Sequence, residues 1–386
     1  MNILIVAQSY PPNLTGVSEV ARQHAERLAG RGHSVTVATQ AGRDWPASET
    51  RNGVTVHRFD VWGKAISGIH GDYANYVSFV RRGAWDAVIM HCAQTWVTDA
   101  LLPHLQDIPG RKVLVLHGLS ALCDPQSRRY LEQLAKTVRQ SVDCLIGVAP
   151  SYEEERFCRE YNLPAPTIIP NGIDISDWSA DPRRIREVWQ IRDRPWAINV
   201  SNHSPVKGHA SYLRVLKDLA RRDPRIRGTI VGNSHPAERW RMGRLGIQGG
   251  CWYRCRSAVR NVPVVTVRRS VPRRDVISAL QEADVFLLTS SWEASPLVVL
   301  EAMAAGTPWV SFDVGCVAQH AGGVVVRTIA EMTDVAHDLL SDAARRTELG
   351  VRGRAAVEQH HQWDVIVGCY EQLLLHRTVA PGDALA

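Results

Sequence analysis

Short apolar runs alternate with amphipathic stretches along most of the 386 residues. Six runs in the first part, ILIVA (3–7), SVTVAT (34–39), VTVHRF (54–59), AVIMH (87–91), KVLVLH (112–117) and CLIGVA (144–149), have the length and β-branched content of buried strands. Between the first two, Val17, Val20, Ala21, His24 and Leu28 fall on one helical face. Strands separated by helices of that length predict a parallel, doubly wound sheet. After NGID (171–174) the pattern restarts with AINVS (197–201), GTIVG (228–232), VVTVR (264–268), VFLLT (285–289) and WVSF (309–312). The chain is therefore expected to be α/β, with two facing Rossmann-like domains, 1–172 and 173–360, hinged near Pro170 to Trp178. The stretch 243–261, rich in Gly and Arg and without clean period, reads as an inserted loop, and APGDALA at the end as a disordered tail.

The segment SSWEASPLVVLEAMAAGTPWVSF (290–312) carries its own punctuation. Ser295 suits an N-cap and Pro296 the first helical position; Gly306 supplies a stop and Pro308 forbids continuation. Were Glu293 to Glu301 all helical, the two carboxylates would stand about 12 Å apart along the axis, too far to share one ligand atom. With Glu293 in the loop instead, the segment offers a carboxylate, the free N–H groups of a helix start at Ser295, Pro296 and Leu297, and a second carboxylate one turn deeper. Free N–H groups at a helix start bind phosphate, whereas carboxylates bind hydroxyls. A diphosphate with a sugar at each end fits that order; Glu301 as an ordinary solvated helix residue is the plainer alternative.

Composition narrows the class. No run approaches eighteen apolar residues and MNILIVAQ lacks the basic flank of a leader, so a cytoplasmic protein is expected. Eight scattered cysteines suit a reducing compartment; Cys251 and Cys255 are the only close pair, and no second pair or histidine cluster is seen to complete a metal site with them. The net charge of +6 is concentrated in an arginine-rich stretch between Asp181 and Asp275. That balance suits a nucleoside diphosphate or an anionic membrane surface, and equally a solvated face. Without a nucleic-acid-binding motif, nucleic acid is not expected as a partner.

Five segments, in order, resemble the retaining glycosyltransferases of family four, which have the GT-B fold and an E-x7-E signature. They are YPPNLTGVSEVARQHAERLAGRGHSVTVAT near the start, VLHG (115–118), IIPNGID (168–174), the Glu293 to Glu301 segment, and Trp363 with the helix after it. The resemblance implies an acceptor-side first domain and a nucleotide-sugar-binding second domain, with a returning helix at 361–378. It further implies catalytic roles for His117, Glu293 and Lys207. Donor contacts fall to Gly16, Asn202, Gly232, Arg268, Ser295, Pro296, Leu297 and Glu301. Tyr10, Asn13, His91 and Gln94 are placed on the acceptor side. Two positions depart from the family pattern: Thr15 stands where the first of two glycines is usual, and Asn202 where an arginine is usual. His203, or an arginine of the 268–274 cluster, is the expected substitute for the missing charge.

The implied activity is transfer of a hexose from a UDP- or GDP-sugar, with retention and without a metal or cofactor, to a saccharide or lipid-linked acceptor in surface polysaccharide or glycoconjugate synthesis. Contact with an anionic inner membrane face goes with that reading. Glycosylation of a small natural product, epimerisation or hydrolysis of the donor, and silent donor binding remain as alternatives.

Overall fold

The computed structural model describes residues 1–13, 15–233 and 250–375, except the side chains of 250 and 252–254. The chain divides into two units, Met1–Asn171 together with the segment from Trp363, and Gly172–Gln362. Each apolar run named above is a strand or lies across one, because a short run of buried apolar residues packs well on both faces of a parallel sheet.

The first unit holds an eight-stranded sheet in the order Thr167–Ile168, Cys144–Gly147, Arg111–Leu116, Ala87–His91, Asn2–Val6, Ser34–Gln40, Val54–Phe59, Ser48–Arg51. Its neighbours run parallel except the last pair. Chain order reverses between Asn2–Val6 and Ala87–His91, and in open parallel sheets ligands bind beyond the carboxyl ends of strands at such a reversal. The helix Trp363–Leu375 buries Trp363, Ile366, Val367, Tyr370, Leu373 and Leu374, and packs on the helix Gly16–Gly30. Ion pairs of Arg27 with Asp364, and of Arg31 with Glu371 at 2.7 Å, fix the two helices together.

The second unit holds six parallel strands in the order Val265–Arg268, Arg227–Val231, Trp196–Val200, Val285–Leu288, Trp309–Phe312, Gly323–Val326. Separate apolar clusters, one around Trp196, Phe286 and Met303 and one around Tyr212, Ile230 and Leu339, serve its packing. The order reverses between Trp196–Val200 and Val285–Leu288. A bridge from Ile173 to Gln362 closes the unit where the chain enters and leaves it.

Several expectations are corrected. Part of the expected loop at 243–261 is a helix, Gly250–Val259; residues 243–249, like the C-terminal tail, lie outside the described residues. The strands Ser48–Arg51, Val61–Lys64, Gly68–Gly71 and Gly323–Val326 were not anticipated, since each is short and the first three lack an apolar run. Among the described residues no helix is long and apolar enough to cross a membrane.

Candidate functional site

In the second unit the loops after the two strands at the reversal meet. The turn Pro205–Lys207 is laced to the chain after Val285–Leu288: Ser291 N–H donates to Val206 O at 2.8 Å and Thr289 Oγ1 to Lys207 O at 3.2 Å. Gly208 makes this approach possible. It has φ +64°, and a Cβ there would lie 1.8 Å from Thr289 O. The lacing sets Lys207 Nζ 2.7 Å from Glu293 Oε1, with the glutamate side chain largely buried and the lysine side chain partly exposed. An ammonium has three donors, so Lys207 has hydrogen-bonding capacity beyond the one bond to Glu293.

Beyond Glu293 the helix runs Leu297–Ala304, one residue later than expected. Pro296, with ψ 107°, is the N-cap instead of the first helical residue, which displaces Ser295 from the cap, and the proline side chain makes no capping hydrogen bond. Leu297 and Val298, at its start, are only half-buried. Its other end follows the sequence: Gly306, φ +72°, closes the helix with Gly306 N–H to Met303 O at 3.0 Å and Thr307 N–H to Ala302 O at 2.9 Å. Glu301, mostly buried, pairs with Arg273 at 2.6 Å. Arg273 is thus the cation of the 268–274 cluster that the structure attaches to this helix.

The remaining second-unit candidates have structural work of their own. Gly232 is required by packing, since a Cβ would fall 1.8 Å from Ser201 O. Its N–H donates to Arg268 O at 3.0 Å, while the Arg268 guanidinium lies over the Trp189 ring, 4.4 Å from its centroid. Asn202 accepts from Asn233 N–H at 3.3 Å through Oδ1. His203 does not reach the surface as a substitute for the missing arginine. It is fully buried, with Nδ1 3.1 Å from His209 Nδ1. Arginines of the 181–275 stretch are also partly spent in ion pairs, Arg183 with Asp275 and Arg186 with Asp284 among them.

The sequence shows no histidine cluster beside Cys251 and Cys255, yet the fold brings two histidines to them. His203, His209, Cys251 and Cys255 each bring one ligand atom within 4.8 Å of the others. The histidines come from a different loop and helix some distance back in the chain, so no local spacing announces the cluster.

In the first unit, the helix Gly16–Gly30 starts with a reciprocal cap between Thr15 and Ser18. Thr15, where a glycine is usual, thereby becomes the N-cap. A Cβ on Gly16 would meet nothing within 4 Å, and its φ is not positive. Neither packing nor backbone strain demands glycine there, and the space above it is open. Asn13 is half-buried nearby, its N–H on Tyr10 O at 3.2 Å. Tyr10 is buried and its hydroxyl has no hydrogen-bond partner among the described residues.

His117 follows Arg111–Leu116 and is half-buried; His91, the last residue of Ala87–His91, lies fully buried behind it rather than on a pocket wall. The rings stack, with His91 Nδ1 3.0 Å from His117 Nε2. His24 adds a third ring, 5.1 Å from His91. Burial lowers all three, His24 to about 3 and His117 to about 4, so they are neutral near pH 7. His91 Nε2 is buried with no partner among the described residues. An orphaned N–H is rarer than an orphaned lone pair, so the His91 proton belongs on Nδ1 and is donated to His117, which leaves His117 protonated on Nδ1.

Two carboxylates invisible to the sequence reading hold the loop after His117. Glu154 Oε1 accepts Gly118 N–H at 2.9 Å and Glu153 Oε2 accepts Leu119 N–H at 2.6 Å. Gln94 is likewise occupied, its N–H on Tyr130 Oη at 2.7 Å and its Oε1 accepting from Ala121 N–H at 3.1 Å.

Two family descriptions match the chain, "Glycosyl transferase 4-like domain" over residues 15–172 and "Glycosyl transferases group 1" over residues 181–354. The chain belongs to the family-4-like glycosyltransferases of GT-B fold. This glycosyltransferase is 28% identical over 229 residues to the GDP-mannose-dependent alpha-(1-6)-phosphatidylinositol monomannoside mannosyltransferase of Mycolicibacterium smegmatis, a match spanning 55% of the chain and 57% of that protein. Its fold is similar to that of sucrose-phosphate synthase from Thermosynechococcus elongatus, with TM-score 0.79 and 18% identity over 96% of the chain and 98% of the synthase. Anabaena HepE, solved with UDP-glucose, is similar at TM-score 0.77 and 16% identity over 97% and 99%.

Proposed function

We propose that this glycosyltransferase moves a hexose, with retention of the anomeric configuration and without a catalytic metal, from a nucleoside-diphosphate sugar to a hydroxyl of a saccharide or lipid-linked acceptor. The observation that carries the reading is the Lys207–Glu293 pair, held at the strand-order reversal just before a helix whose N-cap is a proline. The leaving diphosphate carries the charge that develops in the transition state, and Lys207 with the N–H groups at Leu297 and Val298 supplies a compact set of donors for it. Glu293 holds sugar hydroxyls, freed from Lys207 to the extent that the phosphate takes over the ammonium. Glu301 holds the ribose, with Arg273 beside it in place of the usual arginine. Gly232 and the backbone at Arg268 line the base. In the first unit, taken by itself, His117 offers its Nδ1–H to a sugar hydroxyl and Gly16 opens a helix onto free space.

In the substitution that follows from these roles, the bond from the anomeric carbon to the diphosphate breaks as the acceptor oxygen bonds on the same face. The departing phosphate oxygen takes the acceptor's proton. The chain's part is positioning and charge stabilisation. A GDP-mannose donor and a lipid-linked acceptor are supported by the mannosyltransferase relative, and UDP-glucose by the HepE complex; contact with an anionic membrane surface goes with a lipid-linked acceptor.

The test is thermal shift with a panel of UDP-, GDP- and dTDP-sugars, followed by NMR of the product's anomeric centre in buffer without Mg2+ or Mn2+. One base and one sugar should stabilise the protein, and the product should keep the donor's configuration. An inverted product, or a strict need for an added divalent ion, would contradict the proposal. Stabilisation by donor with no turnover across acceptors would instead favour a silent binder.

A further inference from the structure

The cluster behind the Lys207 turn has its own chemistry. His203 lies in the loop after Trp196–Val200, His209 opens the helix His209–Arg222, and Cys251 and Cys255 stand four residues apart on Gly250–Val259, hence on one helical face. His203, His209 and Cys255 are buried, and Cys251 is half-buried. We propose that His203, His209, Cys251 and Cys255 form a structural zinc site.

Three of the six distances between the ligand atoms match the edges of a tetrahedral shell, and all four atoms lie within 4.8 Å of one another. With metal–sulfur bonds near 2.3 Å and metal–nitrogen bonds near 2.05 Å, a tetrahedron has edges of about 3.8 Å between sulfurs, about 3.3 Å between nitrogens and about 3.6 Å between the two kinds. The corresponding distances are 3.9 Å for Cys251 Sγ to Cys255 Sγ, 3.1 Å for His203 Nδ1 to His209 Nδ1, and 3.5 Å for Cys255 Sγ to His209 Nδ1. A disulfide is a different object, with sulfurs about 2.05 Å apart. Two imidazole nitrogens and two sulfurs are a ligand set that selects zinc. Two thiolates cancel its charge exactly where burial would otherwise penalise it.

The surroundings support the ligand atoms. His209 Nε2 lies 2.8 Å from Ser201 Oγ, which donates to Asn199 Oδ1 at 2.7 Å, and Asn199 Nδ2 donates in turn to Leu287 O at 2.7 Å. That relay fixes the Nε2–H tautomer of His209 and leaves its Nδ1 lone pair for a metal. Four protein ligands fill a tetrahedron, so the ion has no open position for a substrate and its role is to hold structure. His203 and His209 bracket Lys207, so the ion pins both ends of the turn that carries it and ties that turn to Gly250–Val259.

The experiment is metal analysis of the full chain produced without a polyhistidine tag. It should contain one zinc per chain. Replacement by cobalt(II) should give the intense visible bands of a tetrahedral ion together with thiolate charge transfer. Cys251→Ser and Cys255→Ser should lose stoichiometric zinc, Ser201→Ala should weaken it about 10-fold to 100-fold, and Cys123→Ser, at an exposed thiol outside the cluster, should keep one zinc. A folded wild-type chain that holds no zinc and gives no cobalt spectrum would overturn the proposal, as would iron or copper in its place or a Cys251–Cys255 disulfide. The wild-type measurements decide the matter even if a cysteine variant fails to fold.

Discussion

Lys207 and Glu154 illustrate two ways in which one side chain meets its surroundings. Lys207 keeps part of its side chain exposed while Glu293 holds its ammonium in place, an arrangement that orients the cation without burying the whole side chain. Glu154 is fully buried, its Oε1 held by Gly118 N–H and its Oε2 without a partner, and burial pushes its carboxyl up to about 7. Because the folded state binds this proton more tightly than the unfolded chain, its contribution to stability is complete below the ordinary carboxyl range and is lost as pH rises through about 7. Glu154→Gln keeps an acceptor for Gly118 and removes the ionisation. Denaturant unfolding at pH 5 and pH 8 should therefore show a smaller loss in the variant, by up to about 3 kcal/mol; equal losses would contradict the buried-acid account. Glu153 and Glu154 sit in a charged run at the start of a short helix, a pattern that ordinarily means solvated residues, so their grip on the loop after His117 could not be read from spacing.

At the scale of elements, the glycines separate fold from site. Gly208 is forced by a positive φ and by the Thr289 carbonyl, whereas Gly16 is forced by neither. Gly208→Ala should cost about 2 kcal/mol or more in chemical denaturation. Gly16→Ala should change stability by no more than about 0.5 kcal/mol while weakening donor binding measured by calorimetry. Unchanged donor affinity in Gly16→Ala would remove that glycine from the site. The strands were legible because buried parallel strands are apolar on both faces. Ser48–Arg51, Val61–Lys64 and Gly68–Gly71 carry too few apolar residues to be seen. The start of Leu297–Ala304 was misplaced by one residue because Ser-Pro satisfies the cap rule in sequence, while Pro296 is extended in the structure. Of the first unit's aromatics, Tyr76 and Trp96 are core, while Trp62 and Tyr73 are exposed.

For the whole molecule, two parallel sheets follow from the repeated apolar pattern, and each reverses strand order once at its long-range switch. That reversal explains why candidates scattered in sequence come together within a unit: the loops after Trp196–Val200 and Val285–Leu288 become neighbours, and Lys207 meets Glu293. Residues in the 250s and the early 200s meet by folding alone, which is why the cysteine and histidine cluster escaped a reading by spacing. The account's central claim is that the Lys207–Glu293 pair handles the donor. Its most direct test is the initial rate of hexose transfer from the stabilising nucleotide sugar by wild type, Lys207→Ala and Glu293→Ala, with folding of each variant confirmed by circular dichroism. Each substitution should lower the rate by about 100-fold or more; folded variants that transfer at the wild-type rate would contradict the claim.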